Sequence, residues 1–385
     1  MKKVGIITIL KVNNFGAELQ AYATQQVINQ MGYQAEIIDY FFYKNPLHIR
    51  ERISSPFYNY PIKCCIKENL ALGLARLSRF FKKKSSIIRK QRFEDFHHKY
   101  TCVSTRSYRK YSDLYVQPPI YDVYCVGSDQ VWNPYSYTNL NPYFLTFAPR
   151  ESRKFSYASS FGVESLPPTA IPRYASNLAQ LDCISVREAS AQRLVKDLIG
   201  REAAWVADPT LLLDEAEWSR VEQPVEGIPE DFVLVYELRP MPMVMSLAEA
   251  IACDKGLKVV RLCKDASNKE QKHNAINIWD AGPSEFIYLF RRASIIVTNS
   301  FHGTAFSINF QKNFFTVVSQ YANNNSRQLN LLSMCGLEER VVYDGGEMPD
   351  WNKEVEYSDV RKAVDSFVSS SKKYLRRAIK WKVYQ

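Results

Sequence analysis

The stretch Ser294-Ile295-Ile296-Val297-Thr298-Asn299-Ser300-Phe301-His302-Gly303-Thr304-Ala305-Phe306-Ser307-Ile308-Asn309-Phe310 decides the fold class. It opens as a short apolar run of strand character and closes with helix character, and the polar residues between leave room only for a tight loop. Strand, loop and helix in that order predict an α/β unit. Gly303 is expected to let the backbone turn closely, and Ser300 or Thr304 to cap the helix. Free amides at a helix N-terminus attract a phosphate or carboxylate, and His302 beside them suits acid/base chemistry on an anion. The same spacing also describes a packed corner without a ligand.

The same grammar recurs toward both ends of the chain. Val4 to Leu10 reads as a strand and Asn13-Asn14-Phe15-Gly16 as a turn. Ala17 to Met31 reads as a helix with Leu19, Ala23 and Val27 on one face, ended by Gly32, and Ala35 to Asp39 as strand again. Tyr121 to Val126 breaks into Gly127-Ser128-Asp129-Gln130, Cys183 to Val186 into Arg187-Glu188, and Ala203 to Ala207 into Asp208-Pro209-Thr210. Beyond a proline-bearing linker, Glu222 to Pro229, come strands at Phe232 to Glu237, Lys258 to Cys263 and Ile295 to Thr298, with helices such as Met243 to Asp254 and Pro283 to Arg292. Polar residues repeatedly fall at strand carboxyl ends, where open α/β sheets hold ligands. The expected architecture is α/β, with two Rossmann-like αβα sandwich domains facing a cleft. The boundaries read as 1–202 for an N-terminal α/β domain, 203–368 for a C-terminal one and 369–385 for a basic amphipathic terminal helix.

A chain of 385 residues with a hydrophobic fraction of 46% has enough apolar material for two cores. No apolar run reaches spanning length, so the expected location is cytoplasmic. The eight cysteines are scattered without zinc-site spacing, and they read as small core residues. The net charge of +10 is concentrated in Leu74 to Phe93, which holds eight Lys or Arg, and Ser369 to Gln385, which holds six. Such segments meet nucleic acid, anionic lipid or only water. Phe80 and Phe81 beside Lys82-Lys83-Lys84 favour a membrane surface for the first. In the tail Tyr374, Leu375, Ala378, Ile379 and Trp381 share a helical face, which suits either a lipid interface or a terminal helix packed back on the first domain.

Five ordered motifs carry a more specific signal. They are Asn14-Phe15-Gly16-Ala17-Glu18-Leu19-Gln20-Ala21-Tyr22, Gly127-Ser128-Asp129-Gln130-Val131-Trp132, Ser185-Val186-Arg187-Glu188, Asp208-Pro209-Thr210 and Thr298-Asn299-Ser300-Phe301-His302-Gly303-Thr304. In these the chain resembles the polysaccharide pyruvyl transferases, with one departure, Asn299 where that resemblance more often places Asp. The resemblance implies a two-domain glycosyltransferase-B-like fold and transfer of an enolpyruvyl unit from phosphoenolpyruvate to two hydroxyls of a sugar, giving a cyclic pyruvate ketal. It implies neither metal nor redox cofactor. The acceptor it suggests is a lipid-linked oligosaccharide of capsule or exopolysaccharide synthesis at the inner face of the membrane, with no nucleic-acid partner.

That chemistry requires a grip on the donor's phosphate and carboxylate, a proton for the enol carbon and a group to accept the sugar hydroxyl's proton. Arg187 offers a bidentate fork for the donor, or else pairs with Glu188 or a neighbouring acid. His302 is the candidate proton shuttle or phosphate ligand. Ser300, Gly303, Thr304 and Arg327 complete the donor-binding set, Arg327 alternatively being solvated beside a helix cap. Asp208 would orient a catalytic group or serve turn chemistry alone. On the acceptor side stand Asn14, Gln20, Ser128, Asp129, Gln130 and Trp132, whose ring either carries a sugar or fills the core. Two other readings stay open: a nucleotide-sugar-dependent glycosyltransferase of the same fold, and a nucleic-acid or membrane-binding module built on the basic segments.

Overall fold

Apolar runs of four to seven residues alternating with longer helical segments give parallel sheets, because each crossover helix returns the chain to the same sheet edge. The computed structural model describes residues 1–45, 47–49, 84–136, 138–263, 274–320 and 325–380. The chain divides into two units, the first made of Met1–Ile87, Thr101–Val206 and Tyr374–Gln385, the second of Ile88–Tyr100 and Ala207–Lys373.

In the first unit, β1 (Lys3–Ile7), α1 (Phe15–Gln30) and β2 (Gln34–Tyr40) form the expected βαβ opening. After α2 (Lys84–Tyr100), which from Ile88 on belongs to the second unit, come β3 (Val103–Tyr108), β4 (Val123–Val126) and β5 (Arg153–Ser156). The strand order is β3-β2-β1-β4-β5, parallel throughout. The chain continues through α3 (Ile171–Ala179), β6 (Ser185–Val186), α4 (Ala189–Ile199) and β7 (Ala204–Trp205). Parallel bridges from Phe155 to Cys183 and from Ser159 to Val186 lay the β6 segment beside the chain that leaves β5. Helix α1 is buried on more than the face expected from Leu19, Ala23 and Val27, since Glu18, Gln20, Thr24 and Gln25 are buried too. Their polar atoms work locally: the Gln25 amide donates to the carbonyls of Ala35 at 3.0 Å and Cys102 at 2.6 Å and accepts from the Cys102 amide at 2.9 Å, tying α1 to β2 and the entry of β3.

The second unit runs β8 (Phe232–Tyr236), α5 (Pro242–Lys255), β9 (Lys258–Leu262), β10 (Ile276–Ile278), α6 (Pro283–Arg292) and β11 (Ile295–Thr298). It goes on through α7 (Phe301–Asn309), β12 (Asn313–Val318), α8 (Ser326–Met334), β13 (Val341–Tyr343) and α9 (Tyr357–Ile379). Its six strands are ordered β10-β9-β8-β11-β12-β13, again all parallel. Two Rossmann-like α/β units are thus present, as the sequence leads one to expect. Strand order reverses between β1 and β4 in one unit and between β8 and β11 in the other, and the carboxyl ends at such switch points are where these sheets place ligands.

The basic segments are in part structural. Residues 74–83 lie outside the described residues, but α2 carries the rest of that run, and two of its arginines are engaged within the fold while Lys90 stays exposed. Arg89 is buried and donates to the carbonyls of Cys263 at 3.2 Å and Ala281 at 3.3 Å, and Arg92 pairs with Asp280 and Glu285, each at 3.2 Å. These two arginines are therefore not available to a lipid surface. In the tail, Trp381 lies outside the described residues. Tyr374, Leu375, Ala378 and Ile379 are buried, with the Tyr374 hydroxyl donating to the Ser156 carbonyl at 3.0 Å and Arg153 to that of Ala378 at 3.0 Å. The apolar face of the tail packs on the first unit, so its interfacial reading is corrected for these four residues. Among the described residues no helix is long and apolar enough to cross a membrane. Cys125, Cys263 and Cys335 are buried as expected, whereas Cys102 and Cys253 are exposed.

Leu375 is fully buried, so Leu375→Ala is expected to cost about 2–5 kcal/mol by loss of packing, read as a lowered denaturation midpoint without lipid present. An unchanged midpoint would return this face to the membrane.

Candidate active site

The second unit's site grows from the end of β11. Thr298 donates its hydroxyl to the Tyr236 carbonyl at 2.5 Å and accepts the Ser300 amide at 3.1 Å, fixing the exit from the strand. Asn299, 8% exposed, accepts the Leu238 amide through Oδ1 and donates Nδ2 to the Arg239 carbonyl, both at 2.7 Å. One side chain thereby pins the ends of β8 and β11 together across the switch point. An aspartate could accept but not donate there, which gives a physical reason for Asn in this chain.

Ser300 caps α7 by accepting the Gly303 amide at 3.3 Å, as expected. Gly303 has a different purpose from the turn assigned to it. It lies inside the helix, and a Cβ built there would sit 2.3 Å from Thr298 Oγ1, so glycine is what lets the helix lie directly against β11. Thr304 reaches back to the Ser300 carbonyl at 3.1 Å and shares a hydrogen bond with the Thr316 hydroxyl at 2.8 Å, so its side chain is committed to the core.

His302 faces a buried carboxylate, with its Nε2 3.8 Å from Asp208 Oδ2. The other oxygen of Asp208 accepts the Thr210 amide at 3.0 Å and the Thr210 hydroxyl at 2.8 Å. The turn chemistry expected of Asp208 is present, and it serves to aim the second oxygen at the imidazole. Asn309 follows His302 by two helical turns and lies on the same face. Its Nδ2 donates to the carbonyls of Thr210 at 2.8 Å and Leu213 at 2.9 Å, clamping the far end of the same segment. An imidazole at a helix N-terminus, opposite a fixed carboxylate, is equipped to bind an anion and move a proton. Arg327, in the first turn of α8, stands 6.0 Å from the centre of the Phe301 ring, beside the residue that precedes His302.

In the first unit the loops after β1, β4, β5 and β6 converge. Thr8 donates to the Ser128 carbonyl at 3.0 Å, and the Ser128 hydroxyl to that of Ala158 at 2.9 Å. Ser159 donates to the Gly127 carbonyl at 2.9 Å, while the Ser160 amide donates to the Asp129 carbonyl at 3.0 Å. Asp129 is held in the left-handed region at φ 70 and pairs with the guanidinium of Arg187 at 3.4 Å. Arg187 is wholly buried as a side chain, so the neighbouring acid it pairs with is Asp129. Gly162 has φ 65, and a Cβ on it would lie 2.4 Å from Gln130 Oε1, so both conformation and contact call for glycine.

The expected acceptor residues divide. Asn14 is exposed and caps α1 by accepting the Ala17 amide at 3.2 Å, while Asp129 and Gln130 are half-buried at the strand ends. Three others are buried and hydrogen-bonded within the unit. Trp132 is fully buried, stacked on Phe144 at 5.5 Å and donating to the Tyr143 carbonyl at 2.7 Å, so its ring fills the core. Gln20 is fully buried, its amide donating to Thr8 Oγ1 at 2.8 Å, and Ser128 is buried in the network just described. What sequence reasoning missed is the segment Ser156–Gly162, whose serines join the Asp129 loop to the Arg187-Glu188 pair. The available signal was three serines and a glycine directly after a strand-like run.

Two parallel-sheet units with polar strand ends at their switch points define a doubly wound α/β protein. The chain belongs to the polysaccharide pyruvyl transferase family, whose model matches residues 14–321, and is by that membership a transferase. No curated protein matches it. Among solved structures it is similar to the UDP-GlcNAc 2-epimerase from Methanocaldococcus jannaschii in complex with UDP-GlcNAc and UDP, at 12% identity over 97% of this chain and 98% of that one with a TM-score of 0.48. It is also similar to UGT89C1 of Arabidopsis thaliana complexed with UDP-L-rhamnose, at 11% identity over 97% and 92% with a TM-score of 0.47. The UDP-GlcNAc 2-epimerase from Neisseria meningitidis bound to UDP-GlcNAc shows 8% identity over 98% and 94% with a TM-score of 0.46.

Asn299→Asp replaces a buried donor with a second acceptor facing the Arg239 carbonyl. It is expected to cost about 1–3 kcal/mol, measured by chemical denaturation; equal stability would show that the amide does not hold the two strand ends.

Proposed function

We propose that this protein transfers the enolpyruvyl group of phosphoenolpyruvate to two hydroxyls of one sugar in a cell-surface polysaccharide precursor, releasing phosphate and leaving a cyclic pyruvate ketal. The observation that carries this reading is the Asp208–His302 pair at the head of α7, inside the region matched to the family.

The proton balance of the reaction defines the tasks. Two hydroxyl protons are lost from the sugar, one ending on the enol methylene carbon, which becomes a methyl group, and the other on the departing phosphate. Both new carbon–oxygen bonds form at the former enol carbon, whose bond to the phosphate oxygen breaks. In this reading His302 delivers the proton to the methylene carbon, while Asp208 orients the imidazole and stabilises its charged form. The N-terminus of α7, with Arg327, receives the phosphate. Arg187 exchanges Asp129 for the donor's carboxylate, which its planar fork fits better than a lysine would. Asn14, Asp129 and Gln130 meet the sugar. No metal or redox cofactor enters this chemistry, and the acceptor is a lipid-linked oligosaccharide presented at an anionic membrane surface.

The test is to incubate the purified protein with phosphoenolpyruvate and a panel of lipid-linked or synthetic glycosides, following phosphate release and a product heavier by pyruvate less water. His302→Ala is expected to lower kcat by about 10²–10⁴-fold, Arg187→Ala to weaken donor use, and Asp208→Asn to lower kcat with little change in KM for phosphoenolpyruvate. Turnover of a sugar nucleotide in place of phosphoenolpyruvate would overturn the reading in favour of a glycosyltransferase.

A further inference from the structure

Glu188 follows Arg187 directly and is left without a task by the chemistry above. It is 1% exposed, deeper than most carboxylates are found without a cationic partner. One oxygen is fully engaged, since Oε1 accepts the Ser160 hydroxyl at 2.9 Å and the Phe161 amide at 3.1 Å. The other, Oε2, is buried and has no hydrogen-bond partner among the described residues. Although Glu188 precedes α4, its side chain makes no cap to that helix, so capping does not explain it either.

A buried acceptor left unpaired is costly, so such a group in a native structure calls for an explanation, a ligand or a reaction that uses it among them. The surroundings make the carboxylate stiff rather than adaptable. Ser160 is itself fixed, its amide on the Asp129 carbonyl at 3.0 Å and its carbonyl accepting the Trp132 amide at 3.1 Å. Its hydroxyl also accepts the Gly162 amide at 3.1 Å. Asp129 and Glu188 are thus held at set positions by one serine, with Arg187 between them in the chain and paired to Asp129.

We propose that Glu188 is the hydroxyl-binding carboxylate of the acceptor sugar, Oε2 taking a hydrogen bond from one sugar hydroxyl and then its proton. The O–H bond of that hydroxyl breaks, its electron pair forms the bond to the donor's enol carbon, and the proton resides on Oε2 until solvent carries it off, the departing phosphate taking up one in exchange. This assignment rests on the pyruvyl transferase reading for the proton step, while the hydroxyl-binding step stands without it.

The experiment pairs glycoside binding, by saturation-transfer NMR without phosphoenolpyruvate, with turnover in its presence. Glu188→Gln keeps shape and replaces the base. It is expected to weaken glycoside binding, to lower kcat by about 10²–10⁴-fold and to leave both the KM for phosphoenolpyruvate and the thermal midpoint near wild type. Glu188→Asp is expected to recover part of the rate. Ser160→Ala, which frees one hydrogen bond on Oε1 without touching Oε2, is expected to raise the acceptor KM alone, and it supplies the answer should Glu188→Gln fail to fold. Wild-type kcat and glycoside affinity in Glu188→Gln, or in a folded Ser160→Ala, would overturn the proposal while leaving the pyruvyl transferase reading intact. Glycoside binding lost in Glu188→Gln, with no phosphate released by wild type from any donor–acceptor pair, would sink that reading and keep the hydroxyl site. A wild-type protein that neither binds glycosides nor releases phosphate would overturn both.

Discussion

The second unit depends on the two hydrogen bonds of the Asn299 amide. Neighbouring parallel strands are joined along their length by the ladder, but at a switch point the chains leave in opposite directions, and past Tyr236 and Thr298 the ladder no longer holds them together. Asn299 supplies that hold, one bond to each of two consecutive residues past β8. Each bond is worth only about 1 kcal/mol net, yet their geometric effect is larger. With the strand end fixed, Ser300 is in place to cap α7, Gly303 can lie against Thr298, and His302 is delivered to the buried oxygen of Asp208.

The first unit solves the same problem by a different device. Short hydroxyl side chains, Thr8, Ser128, Ser159 and Ser160, pass hydrogen bonds from loop to loop across the ends of four strands. Hydroxyls suit this because each can donate once and accept as well, and only at Ser160 does the chain of them end on a carboxylate, that of Glu188. Where a charge does enter, at Arg187, it meets Asp129. A paired arginine that must release its partner to receive a ligand gives up part of its binding energy, and in exchange the guanidinium is already desolvated and aimed.

Much of the architecture was legible in sequence because buried parallel strands are apolar on both faces. Val4 to Ile7, Val123 to Val126, Phe232 to Tyr236 and Ile295 to Thr298 announce themselves in this way. The polar strands do not: Val103–Tyr108 is only partly buried at its sheet edge, and Arg153–Ser156, though largely buried, is polar at three of its four positions. Strand order is carried by crossovers, and no single segment encodes it. At the site, His302, Ser300 and Arg187 could be singled out from residue type and position. The pairing of His302 with Asp208 could not, since Asp-Pro-Thr reads as a turn whether or not its second oxygen has a target. Trp132 shows the opposite error, an aromatic next to site residues that turned out to be core, because sequence adjacency says nothing about which way a ring points.

The last helix has a consequence for how the chain is made. Residues of α9 up to Lys373 belong to the second unit and those from Tyr374 to the first. The first unit therefore cannot close during synthesis when its own strands emerge. It waits, with the Ser156 carbonyl and the seat of Leu375 uncovered, until about 170 further residues have left the ribosome at roughly 5–20 per second. A fragment ending at Val206 would carry every strand of that unit and still lack the side chains that complete its core.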